Sequence, residues 1–183
     1  MKIDRAKNDE IYEEADFDAF DDNITTVCVT GHRNIPESRK PVVAQLLSEI
    51  MAMLYERGAR IFKAGGAVGF DTMAAHAVID LKAATRDPNI KLCLCLAAPD
   101  QAKNFSAYDK IIFNLVLENS DSVSYASDKS CSDSYFARNR KLVEGSDVCV
   151  AYCTEQRGGT YYTCKHALLN GVEFINIADF IED

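Results

Sequence analysis

The sequence predicts an α/β fold, a Rossmann-like three-layer sandwich on a mostly parallel sheet of about six strands. Three observations carry this. Short β-branched or apolar runs alternate with longer stretches of helical periodicity, the pattern of βαβ units. One run, residues 91–97, is apolar after its first residue, as expected for a strand covered on both faces. Glycine-rich junctions between a strand and a helix occur twice, at residues 65–69 and 158–159.

The elements follow in order. A strand over residues 25–30 leads to a helix over 38–57. A strand over 60–64 leads to a helix from about 71 to 84, broken by Asp87, Pro88 and Asn89. After the strand at 91–97, helical periodicity runs from about 103 to 119. A short strand at 122–125 is followed by the Ser- and Asp-rich loop 126–133 and a helix from about 134 to 144. The strand 148–152, a helix from about 160 to 170 stopped by Gly171, and a last strand over 172–177 complete the chain.

The 183 residues suit one domain, which buries roughly 70% of the surface its unfolded chain exposes and needs no metal or disulfide to hold its core. Its 48% hydrophobic and 26% charged residues agree with a globular chain. The longest apolar run, residues 92–98, is far short of the ~18 residues of a membrane span, and the polar start does not resemble a signal peptide. Seven cysteines, mostly inside apolar runs, read as reduced core thiols of a cytoplasmic protein; their spacing misses the CxxC pairs of zinc sites. A disulfide-stapled scaffold is excluded. Neither a hydrolytic triad nor an HExxH pattern occurs.

The net charge of −8 argues at first against phosphate-rich partners. Its distribution changes that reading. Residues 1–22 hold three basic and nine acidic residues, so this extension carries −6 and the single domain over 23–183 only −2. A near-neutral body accommodates a phosphate-bearing small ligand, whereas a long nucleic-acid track is not expected.

In open parallel sheets ligands bind beyond the carboxyl ends of the strands. After the first strand, Gly31 permits close backbone approach and Arg33 can fork onto a phosphate or carboxylate, with His32 beside them as a hydrogen-bonded turn residue. After the second strand, Gly65, Gly66 and Gly69 feed a helix whose amides suit an anion; the loop is neither a P-loop nor GxGxxG. Asp71 either caps that helix or accepts a ribose hydroxyl. After the fifth strand, Gly158, Gly159 and Thr160 open another helix and form a second anion site. Arg138 and Arg140 stand near the start of the preceding helix, against its dipole, and leave it at different angles, so they do not share a job.

With these pieces in place the chain resembles the YpsA-like branch of the SLOG superfamily, through VTGHR (29–33), AGGAVGFDTMAA (64–75), RNRKLVEGSD (138–147) and RGGTYYTCKHAL (157–168). The superfamily includes the Lonely Guy phosphoribohydrolases and the DprA/Smf DNA-processing proteins. The resemblance implies a site made from the two glycine loops, a nucleotide or nucleotide-derived ligand such as ADP-ribose or NAD, no obligatory cofactor or metal, and a homodimer. Lonely Guy enzymes pair an arginine with a glutamate after their Gly-Thr. Here Arg138 matches the arginine, but Tyr162 and Thr163 stand at the carboxylate position, leaving Asp71, Glu144 or Glu155 as substitutes. The expectation is therefore a nucleotide-binding sensor or regulator. An N-glycosidase and a DprA-like single-stranded DNA binder are the alternatives.

Overall fold

The computed structural model describes residues 24–181; the acidic extension expected over 1–22 lies outside the described residues. From there strand and helix alternate strictly: β1 (Thr26–Gly31), α1 (Lys40–Glu56), β2 (Ile61–Ala64), α2 (Phe70–Thr85), β3 (Lys91–Leu96), α3 (Ala107–Glu118), β4 (Ser122–Tyr125), α4 (Ser132–Val143), β5 (Val148–Tyr152), α5 (Gly158–Leu169) and β6 (Glu173–Asn176), then a 3-10 turn (Ile177–Phe180). The strands form one sheet in the order β4-β3-β2-β1-β5-β6, and each pairing is parallel. This is the expected three-layer Rossmann-like arrangement.

Side-chain alternation along the strands assigns the two layers. Val27, Val29, Phe62, Leu92, Leu94, Val148 and Val150 join Val43, Leu47 and Leu54 of α1 and Ala74 of α2 in the larger core. Cys28 and Cys149, neighbours across β1 and β5, turn the other way and pack with Leu142 and Val143 of α4 and Ala167 of α5. Right-handed crossovers place α1, α2 and α3 on the first face and α4 and α5 on the second. Because the chain leaves β1 toward β2 on one side and returns beside it with β5 on the other, a crevice opens at the carboxyl ends of β1 and β5.

Most boundaries shift by a residue or two, and three helix starts differ in an informative way. Ser106 caps α3, its Oγ accepting from Asp109 N at 3.1 Å, so the helix starts at Ala107 rather than near 103. Helix α4 starts at Ser132, which puts Arg140 and Lys141 in its last turn, where positive charge suits the dipole; the expected conflict does not arise. Gly158 and Gly159 are the first residues of α5, not a loop before it. No helix among the described residues is long and apolar enough to cross a membrane.

The amino end of the sheet is held by Asp147, the last residue of the RNRKLVEGSD segment. Its Oδ2 accepts from Thr25 N (2.9 Å), Thr26 N (2.8 Å) and Thr25 Oγ1 (3.0 Å). Partial burial pushes this carboxyl up, but those hydrogen bonds outweigh it and hold the group below its ordinary range. Asp147→Ala is expected to destabilise the fold by about 1.5 kcal/mol at pH 7 in urea denaturation, the low end for hydrogen bonds to a charged group because the carboxylate is solvent-exposed. A depressed folded-state pKa contributes stability above the unfolded value near 4 that is lost as pH falls below it, so the gap between wild type and variant should close on acidification.

Candidate functional site

The first glycine loop is closed by the protein itself. A Cβ on Gly65 would overlap Arg138 Nη1 and crowd Asp71 Oδ2, and one on Gly66 would press on Leu96. A Cβ on Gly31 would overlap the Phe70 ring, and Gly69, at φ +84°, lies against the backbone carbonyl of Arg33. These four glycines let chain segments approach each other closely. Gln101, which the sequence did not single out, locks the loop from below. Its Nε2 donates to Gly65 O and Gly66 O, both at 3.0 Å, while its Oε1 accepts from Ala97 N at 2.7 Å.

Asp71 is not the cap of its helix. Gly69 takes that position, and the Asp71 side chain turns into the protein, 3% exposed, to meet Arg138 Nη1 at 3.1 Å through Oδ2, which also accepts from Ala67 N at 3.3 Å. Burial pushes the Asp71 carboxyl above its ordinary range against the opposing pull of Arg138. Arg138 is 7% exposed, and its buried Nε has no hydrogen-bond partner among the described residues.

The second glycine loop is open. Gly158, at φ +85°, has nothing within 4 Å of where a Cβ would stand, and Gly159 has only Asn139 Nδ2, at 3.7 Å. Neither residue is glycine because the protein crowds it, although the backbone at Gly158 favours glycine. Asn139 ties α4 to this turn by donating to Gly159 O at 3.3 Å, and Thr163 Oγ1 donates to the same oxygen at 2.8 Å. Thr160 is half-buried in the same turn. Adjacent residues of α4 thus hold one loop each, Arg138 the first and Asn139 the second. Arg140, as its spacing implied, points elsewhere, to Tyr162 Oη at 3.4 Å.

Arg33 lies exposed at the rim with its guanidinium 5.6 Å from the centre of the Tyr135 ring. Next to it, His32 bridges the two halves of the crevice: its Nε2 accepts from Thr154 N at 2.9 Å, and its carbonyl accepts from Phe70 N at 3.1 Å. Of the other carboxylates considered, Glu144 caps the far end of α4 and Glu155 pairs with exposed Arg157 at 3.3 Å. Neither joins Arg138.

A family model, YpsA (YspA SLOG family), matches residues 27–172. The chain belongs to this family. The four motifs lie two at the crevice floor, one along α4 and one at the open mouth of α5. Among solved structures, it is similar to DNA processing protein A from Helicobacter pylori, described for its single-stranded DNA binding mode, at 18% identity and TM-score 0.57, covering 82% of this chain and 63% of that one. DNA processing protein A from Streptococcus pneumoniae matches at 18% identity and TM-score 0.59, over 84% of this chain and 50% of that one. The structural-genomics target TM1055 matches at 16% identity and TM-score 0.53, over 82% and 72%. At these identities the likeness establishes the fold, and the chain spans 63% and 50% of the two DNA-processing proteins. No curated protein matches the sequence.

Removing one member of the buried pair should expose its cost. Arg138→Met leaves Asp71 buried without its cation and is expected to destabilise the fold by about 3–5 kcal/mol, of which Asp71→Asn in the same chain recovers a large part; chemical denaturation of both variants measures this. Burial holds the His32 pKa below its ordinary 6.5, against the opposing pull of Glu155. A depressed histidine contributes stability that is complete above 6.5 and lost as pH falls toward the folded-state value. The melting temperature should thus fall between pH 7 and 5 more steeply in wild type than in His32→Gln.

Proposed function

We propose that this chain is a cytoplasmic nucleotide-binding protein that senses or regulates rather than hydrolyses, with a nucleotide or nucleotide derivative of the ADP-ribose and NAD type as its ligand. The observation that carries this is Arg138: a cation buried at the switch point of a parallel sheet, satisfied by Asp71 on one nitrogen only, next to an uncrowded helix start. An anion resting on the amides of Gly158, Gly159 and Thr160 would gain the dipole of α5, and Arg33 would add charge from the rim. Gly65 serves that site by letting Arg138 and Asp71 sit close beneath it, Gly31, Gly66 and Gly69 by letting Phe70, Leu96 and the Arg33 carbonyl close the loop around them, and Asp71 positions Arg138.

Cleavage of a glycosidic bond is the weaker reading. Thr163 is fully buried and spends its hydroxyl on Gly159 O, Tyr162 faces α4, and Asp71 directs its Oδ2 to Arg138 and Ala67. Single-stranded DNA binding by the Helicobacter neighbour does not favour excluding nucleic acid, but that protein is longer than this chain and shares only 18% of its residues.

A thermal-shift panel of AMP, ADP-ribose and NAD tests the reading. A true ligand at about 100-fold excess over its Kd should raise Tm by roughly 5–10 °C. Gly159→Asp should abolish the shift while folding normally, because the site has room for a side chain and a carboxylate suits the first turn of a helix. If no compound raises the wild-type Tm above that of the variant, the reading is wrong.

A further inference from the structure

Below the open mouth of α5, its outer face and that of α4 carry a cluster of rings that the site described above does not use. Phe136 of α4 meets Tyr162 of α5 edge to face, with centroids 5.0 Å apart and planes at 78°. Tyr162 lies nearly parallel to His166, at 6.1 Å and 6°, and receives a hydrogen bond from Arg140. Phe136 remains 41% exposed despite these neighbours. We propose that this ring cluster is the subsite for the base of a nucleoside phosphate whose phosphate rests at Gly158 and Gly159; the proposal rests on the nucleotide reading above.

Register supports the continuity. Gly158, Tyr162 and His166 are spaced four apart, so they run down one face of α5 from the open amides to the rings. About one turn of helix, ~6 Å of rise, separates the backbone of Gly158 from that of Tyr162, and a helical side chain leans back toward the N-terminus, which keeps the first ring within the span of a single nucleotide. Aromatic faces stack on any base, and Arg140 at the rim adds a cation that favours electron-rich rings.

Charge points to the same occupant and away from a second copy of the chain. The exposed charges of helices α4 and α5 are three basic residues, Arg140, Lys141 and Lys165, against the single acidic Asp133, in a chain of net charge −8. Two copies meeting through this face would bring like charges together, whereas a nucleoside phosphate brings the opposite sign and a ring.

Isothermal titration of the full chain with AMP and with ribose 5-phosphate, which lacks the base, separates the base subsite from the phosphate site. AMP is expected to bind wild type at least about tenfold more tightly than ribose 5-phosphate. Phe136→Ala should bring AMP down to the ribose 5-phosphate level without changing ribose 5-phosphate itself, and Phe136→Trp should restore the preference. Equal affinities in wild type, or a preference that survives both Phe136→Ala and Tyr162→Ala, overturn the base subsite and leave the phosphate reading standing. No binding of either compound overturns both. Sedimentation of the same samples supplies a further check: a dimer that Phe136→Ala dissociates means that a second copy covers the ring cluster, which also overturns the proposal.

Discussion

Burying a guanidinium and a carboxylate together costs several kcal/mol of lost hydration per ion, offset only where close contact and further hydrogen bonds satisfy both. Arg138 and Asp71 meet that demand incompletely, with one 3.1 Å contact, one amide on the carboxylate and an Nε left over. The rest of the crevice follows from seating this pair. Position 65 must lack a side chain for Arg138 to enter, Gln101 must hold the loop that results, and α4 must cross where its seventh residue reaches β2. An apolar pair would pack there at lower cost.

The two glycine clusters look alike in sequence and do opposite things. At residues 65–69 the missing side chains are filled by Arg138, Leu96 and the Arg33 carbonyl, so the backbone there is packed against protein. At residues 158–159 the space stays empty, and the amides of a helix start face outward. Glycine marks close approach by the protein in the first place and an uncrowded backbone in the second. Neighbouring side chains on one helix, Arg138 and Asn139, tie α4 to both loops.

Nearly all of the fold was legible, because a parallel sheet writes itself as apolar runs separated by helical periodicity. Strands β4 and β5 match their expected bounds, and the differences at α3 and α4 trace to caps, Ser106 and Cys131, that a periodic pattern does not register. Within the site the glycines were legible as backbone markers, but their meaning was not, since what fills the space beside Gly65 comes from a residue far along the chain. The Asp71–Arg138 pair joins positions 67 residues apart, and sequence offered capping as the simpler use of Asp71. Gln101 and Asn139 were missed because they act on backbone carbonyls, and an amide side chain in a polar segment carries no periodic signal.

The sheet ends in two short borders. Strands β4 and β6 have four residues each; Ser122 and Ser124 are exposed on one, and Glu173 on the other is held by both guanidinium nitrogens of Arg57 at 2.9 Å. Such edges give an incoming strand few free amides and little apolar surface to lie on. Crowded expression therefore carries a low risk of edge-to-edge growth through the sheet of the described residues.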